Sequence, residues 1–305
     1  TQGYSSAASD VYKRQIINES SCTYDGDIQN ERPSVRKIKE EKWEKWQRMH
    51  GISPLQPLRG VPMEGNGKEG RRFFAAEQKA FLEDMYQFLR GIGVKVPICG
   101  TNLELTAGDL WASQNMDFMN DHAYWGASAM PNSFWYPNTQ SLIRQPLSSG
   151  TPFLGEIVHS RLHDKPIVCT EWSVVYPNVY RQEAYPFVAA YTAYQNFDAM
   201  FSFDWSGAYL PNLKDVIKSH RIVCLSQMTD PSTFGLNQAA AIARMRGDIQ
   251  PARKHVILKY SEDDIWSNRR QLPQTVSFLF QMARVSIKLP TSGACLLYTS
   301  DAADE

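Results

Sequence analysis

From residue 16 onward, short apolar and β-branched runs alternate with longer stretches in which apolar residues recur at helical spacing. The short runs, at residues 16–17, 94–99, 116–119, 166–170 and 199–203, have the length and composition of buried strands. Between them, residues 73–89 place Phe74, Phe81, Met85 and Leu89 at helical intervals, and residues 153–162 and 184–197 continue the alternation. Short buried strands separated by helices predict a parallel sheet with crossover connections, an α/β fold. Five strands at this spacing fit the second part of a (β/α)8 TIM barrel. Residues 37–49 also predict a helix, and the Pro- and Gly-rich residues 54–70 predict a surface excursion. After residues 234–246, a further helix, Gln250-Pro251-Ala252-Arg253 punctuates the chain, and residues 255–260 predict a strand. That strand would open a small β-rich accessory domain over residues 248–294, with the barrel portion taking residues 16–247.

The two ends follow neither period. Residues 1–15 and 295–305 resemble conceptual translations of sequencing-adaptor DNA, so they are set aside as non-native. On that expectation the barrel's first three strands precede residue 16.

Charge narrows the classes of partner. The 305 residues carry 32 basic and 32 acidic side chains without a basic block. Nucleic acids and anionic membranes both require clustered Lys and Arg, so neither is expected as a partner. The mixed charges of residues 36–45 read as a solvated helix face. There is no unbroken run of 18 apolar residues to suggest a membrane span. Five cysteines, Cys22, Cys99, Cys169, Cys224 and Cys295, form no CxxC pair, which argues against a disulfide scaffold or a zinc site. Cys99 and Cys169 fall inside apolar runs and predict buried thiols. Aromatic residues make up 12% of the chain, and several stand in polar surroundings, such as Tyr124-Trp125 and residues 133–136. Exposed flat rings of this kind suit stacking on sugars.

The C-terminal ends of parallel barrel strands converge on one rim, and chemistry is expected there. The five strands end in Ile17-Asn18-Glu19, Gly100-Thr101-Asn102, Asn120-Asp121-His122-Ala123-Tyr124-Trp125, Cys169-Thr170-Glu171-Trp172 and Phe203-Asp204-Trp205-Ser206-Gly207. Two of these deliver a carboxylate directly after an apolar run. Paired carboxylates are what glycoside hydrolysis needs: one gives a proton to the leaving oxygen while the other attacks the anomeric carbon or stabilises its charge.

An Asn-Glu pair, then His-x-Tyr, then a lone Glu after the apolar run 165–170, then a Trp resembles the ordered pattern of retaining glycoside hydrolases of clan A, most like family 5. The resemblance covers residues 16–247 and implies strands four to eight of the barrel. It implies Glu19 as acid/base, Glu171 as nucleophile and Asn18 as donor to the sugar 2-hydroxyl. His122 and Tyr124 would line the subsite of the cleaved sugar, with Tyr124 bonded to the nucleophile, and Trp205 would form its floor. Asn102, Trp125 and Trp172 at the same strand ends complete the expected substrate-binding set. The substrate would be a β-linked poly- or oligosaccharide, with no cofactor and no metal, and the family's members point to a secreted or periplasmic setting. Retention would require the two carboxyl groups to lie ~5–5.5 Å apart.

Two other readings remain. The same rim could bind glycans without cleaving them, its carboxylates only accepting hydroxyl hydrogen bonds. A metal-dependent lyase or hydrolase would need more His, Asp and Glu at the strand ends. His159 and His163 are expected at the surface, and Asp121 and Asp204 adjoin the rim as supporting partners or helix caps.

Overall fold

A computed structural model describes residues 14–21, 31–58, 67–103, 105–125, 142, 153–176, 178–205, 222, 225–267, 272–290 and 297–301. Cys22, Cys224, Cys295, the aromatic residues 133–136, part of the 54–70 excursion and most of the two ends lie outside them.

In chain order the elements begin with strand β1 (Arg14–Gln15), helices α1 (Pro33–Met49) and α2 (Gly67–Gly91), and strand β2 (Ile98–Cys99). Helix α3 (Ala107–Ser113), strand β3 (Met119–Trp125), helix α4 (Phe153–His159) and strand β4 (Ile167–Val174) come next. Helix α5 (Ala184–Tyr194), strand β5 (Ala199–Ser202), helix α6 (Pro231–Arg246) and strand β6 (Lys254–Lys259) follow. A short helix α7 (Glu262–Ile265) and strands β7 (Arg284–Lys288) and β8 (Leu297–Asp301) complete the series. The fold is α/β. Its described strands form three separate sheets, β1-β2, β3-β4-β5 and β7-β6-β8, and none of these closes on itself.

The chain divides into two units, the first comprising residues 1–119, 260–270 and 289–294, and the second the remainder. In the first unit the strand expected at 16–17 falls instead at β1, inside the segment set aside as non-native: β1 and β2 run parallel, Gln15 opposite Cys99, and only the backbone bond from Ile16 N–H to the Cys99 carbonyl at 3.1 Å extends the ladder toward residue 17. The strand expected at 94–99 is shorter because residues 94–96 serve the end of α2 instead. Val94 N–H bonds back to the Leu89 carbonyl, and the Arg90 guanidinium donates to the carbonyls of Val94 and Val96 at 2.8 and 3.0 Å. Helix α2 starts six residues earlier than its apolar pattern indicates, so residues 67–70 of the expected excursion are helical. Its buried positions Gly70, Phe74, Gln78 and Leu82 fall every fourth residue along one face. Trp43, Leu58, Phe73 and Phe74 form one apolar cluster, while the charged residues of α1 face solvent in pairs such as Lys37–Glu41. Gly100, just past β2, is required by close approach: a Cβ there would meet Ser113 Oγ at 2.9 Å and a Leu82 methyl at 3.0 Å.

In the second unit β4 and β5 pair in parallel with α5 as the crossover, a βαβ arrangement. Strand β3 begins only at Met119, so residues 116–118 of the expected strand lie outside it, and both β3 and β4 run on past the apolar runs. They take in Tyr124-Trp125 and Glu171-Trp172, so these residues sit within strands rather than in the loops beyond them. Helix α4 stops at His159, because the next residues turn to pair with β7: Ile287 N–H bonds to the Arg161 carbonyl at 2.7 Å and His163 N–H to the Ile287 carbonyl at 2.8 Å. Strand β6 pairs in parallel with β7 and antiparallel with β8. Gln195 ties α5 to this region, its amide donating to the carbonyls of Phe280 and Ala283 while its oxygen accepts from Val285 N–H at 3.0 Å. Cys99 and Cys169 are fully buried thiols outside any disulfide, as their apolar surroundings predict. No helix of the described residues is long and apolar enough to cross a membrane.

Candidate active site

Each unit carries part of the expected residue set. In the first unit, Asn18 and Glu19 follow β1 in a turn held from three directions. Asn102, 1% exposed, accepts from Glu19 N–H at 2.8 Å and donates to Asn18 Oδ1 at 3.3 Å. The Thr101 hydroxyl donates to the Ser20 carbonyl, and the Ser21 hydroxyl donates to Asp109. Asp109 is itself fixed by a capping box with Thr106 at the start of α3. These bonds hold Glu19 at φ 49°, in the left-handed region where a residue with a Cβ costs roughly 1 kcal/mol or more. Glu19 itself is exposed. Asn102, expected to touch substrate, is therefore buried against the chain and positions Asn18 and Glu19. The Asn18 amide also accepts from Gln15 Nε2 at 3.1 Å, so two donors converge on Oδ1 and fix which edge of the amide is Nδ2.

In the second unit, strand alternation puts Asn120, His122 and Tyr124 on one face of β3. The Tyr124 hydroxyl donates to Glu171 Oε2 at 2.6 Å, and His122 Nδ1 stands 3.6 Å from the same oxygen. His122 Nε2 lies 2.9 Å from Thr170 Oγ1, and the Thr170 hydroxyl and N–H both reach Asn120 Oδ1, at 2.6 and 3.3 Å. Consecutive residues of a regular strand point to opposite faces, yet Thr170 and Glu171 both meet this one face of β3. The pairing of β4 with β5 explains it: Cys169 is opposite Met200 and Trp172 opposite Ser202, so β4 carries one extra residue between them. Such a bulge redirects a side chain and leaves backbone groups unpaired. Here the Cys169 thiol donates to the Glu171 carbonyl at 3.2 Å.

The aromatic residues separate into two kinds. Trp205 is 52% exposed with one side against Phe234, ring centroids 5.5 Å apart, and so presents open ring surface. Trp125, at the end of β3, is half-buried. Trp172 is 4% exposed, packed edge-on against Phe153 and Tyr185 at 6.3 and 5.1 Å. An indole so enclosed supports the strand from within, in place of the expected contact with substrate.

Asp121 is structural: one oxygen takes its own neighbour's N–H, that of His122, at 2.8 Å, and the other accepts from the Ser160 hydroxyl. His159 is fully buried rather than on the surface, because α4 turns that face toward the core. His163 is half-buried in a polar chain with Ser286 and Asp164. Thr101, Asn120 and Thr170 stand at the expected strand ends, but residue type alone gives them no role, and it does not single out Asp109 at all. The period-two spacing of Asn120 with His122 and Tyr124 was the one available signal.

No family model, curated protein or solved structure matches the chain. The chemistry therefore has to be read from the residues. The second unit offers a half-buried carboxylate oriented by a phenol, and the first an exposed carboxylate on a strained, braced turn.

Proposed function

We propose that the chain carries the catalytic residues of a retaining glycoside hydrolase acting on a β-linked poly- or oligosaccharide. On this reading residues 16–17 and strands β2 to β5 correspond in order to strands four to eight of a (β/α)8 barrel. The observation that carries it is Glu171 on β4, gripped at one oxygen by the Tyr124 hydroxyl with His122 beside it. A phenol holding one carboxylate oxygen leaves the other oriented for attack. Glu171 would attack the anomeric carbon, forming a glycosyl ester and breaking the bond to the leaving oxygen, which Glu19 protonates. Glu19 would then take a proton from water as that water breaks the ester, releasing the sugar with its configuration retained. The bracing of Asn18 and Glu19 by Asn102 supports a positioned acid/base, and the exposed face of Trp205 supports a stacking surface for a sugar ring.

The experiment is a panel of β-linked polysaccharides and aryl β-glycosides, followed by a 2-deoxy-2-fluoro glycoside of the best substrate. The fluoro sugar should leave a stable ester, and peptide mass spectrometry should find it on Glu171. A Glu171→Gln protein that kept normal hydrolysis would refute the assignment. Glycan binding without any bond cleavage would favour a sugar-binding protein instead.

A further inference from the structure

The side chains around His122 fix more than its position. Asn120 Oδ1 receives both the Thr170 N–H and the Thr170 hydroxyl, so it is the amide oxygen and only accepts. The Thr170 hydroxyl has a single hydrogen, and the 2.6 Å contact to Asn120 consumes it. Toward His122 Nε2, 2.9 Å away, Thr170 Oγ1 can then only accept. The imidazole must bring that hydrogen itself, on Nε2. The opposite ring nitrogen, Nδ1, is the one 3.6 Å from Glu171 Oε2.

We propose that Asn120 and Thr170 are positioning residues that lock neutral His122 as its Nε2–H tautomer, so that the ring edge turned to Glu171 carries no proton unless the imidazole is charged. Without the lock a carboxylate beside Nδ1 would draw the proton to its own side. A neutral Nδ1–H donor would then add to the Tyr124 hydroxyl on Oε2 and weaken Glu171 as a nucleophile. The bulge in β4 makes the lock possible, since it lets Thr170 reach His122 while its neighbour Glu171 reaches Tyr124. The tautomer follows from hydrogen-bond geometry alone, whereas its catalytic meaning rests on the glycosidase reading.

The two are tested separately. In the 15N-histidine-labelled full chain, long-range proton–nitrogen correlation spectra distinguish the tautomers, and a His122→Gln sample identifies which of the six histidine signals belongs to residue 122. At a pH where the ring is neutral, the native protein should show the Nε2–H pattern. Asn120→Ala frees the Thr170 hydroxyl to donate to Nε2, and the pattern should invert to Nδ1–H. Thr170→Ser keeps the hydroxyl and should keep the native pattern, which a general loss of packing would not do. If a variant fails to fold, the native spectrum still decides, because Nδ1–H there overturns the proposal. An unchanged pattern in a folded Asn120→Ala protein overturns it equally. Where hydrolysis is measurable, Asn120→Ala should lower kcat about tenfold with KM within about twofold. If no substrate is cleaved but the spectra behave as stated, the glycosidase reading fails and the tautomer lock stands.

Discussion

Acid should destabilise this protein through His255, and the structure sets both the sign and the size. An arginine guanidinium can only donate, so Arg284 Nη2, 3.1 Å from His255 Nδ1, makes that nitrogen an acceptor. His255 Nε2 then donates to Ser286 Oγ at 2.8 Å, and Ser286 passes its own hydrogen to His163 Nδ1 at 3.2 Å. Protonating His255 would break this directed chain beside Arg284. Burial, with the positive charges of Arg284 and Arg161 and the neighbouring His163, pushes the His255 pKa down from 6.5 to about 4. In the unfolded chain the ring takes a proton near pH 6.5, whereas in the folded chain it does so only near pH 4. The stabilisation is therefore complete above pH 6.5 and is lost as pH falls toward 4. At roughly 1.4 kcal/mol per pH unit that interval is worth about 3.5 kcal/mol at most, and about 2–3 kcal/mol once water around the part-buried Arg284 and His163 screens the charges. The assay is urea unfolding of the native chain and of His255→Gln at pH 7 and pH 4. Carboxylate effects are common to both proteins and cancel in the comparison, so the native chain should lose about 2–3 kcal/mol more than the variant over that interval. Parallel pH dependence in the two proteins would refute the reasoning.

Two further outcomes are expected. Gln195→Ala removes both hydrogen bonds to the Phe280 and Ala283 carbonyls and the acceptor for Val285 N–H, so thermal unfolding should show a loss of about 3 kcal/mol. A loss below about 1 kcal/mol would mean that water replaces the amide. Tyr124→Phe keeps the ring but loses the 2.6 Å bond to Glu171, and on the proposed glycosidase reading kcat/KM should fall about 10- to 100-fold with the circular dichroism spectrum unchanged. Unaltered kinetics would show that the phenol does not hold the carboxylate during reaction.

Elements with a long, one-sided apolar pattern were legible in the sequence. Helix α2 forms over its expected span, although its buried face runs through Phe74, Gln78 and Leu82 and leaves the expected Phe81 42% exposed, and α6 is capped by Gly247, whose φ of 69° suits a glycine after a helix. Grouping His122, Tyr124 and Glu171 also held, since strand order and residue type together point to them. What the sequence concealed depends on tertiary contacts. The apolar run at 94–96 looks like strand, but Arg90 claims its carbonyls. Trp172 looks like a sugar platform because tryptophan beside a carboxylate so often is one, yet Phe153 and Tyr185 enclose it. Asn102 offers the chemistry of a substrate ligand and spends it on the backbone of Glu19. His159 lies inward because the chain leaves α4 to meet β7, a pairing more than a hundred residues distant in sequence.

The extra residue in β4 divides that strand into two halves of opposite parity. Ile167 and Cys169 are buried at odd positions, while Trp172 and Val174 are buried at even ones. A hydrophobic period summed over the whole strand therefore partly cancels itself. Substitutions at Thr170 or Glu171 leave this phase intact, but deleting either residue would force one half of the strand to turn inside out. For the phase of the strand, length is thus more constrained than residue identity over 169–172, and a relative that differs there by one residue would have a differently aimed side chain at position 171 whatever its composition.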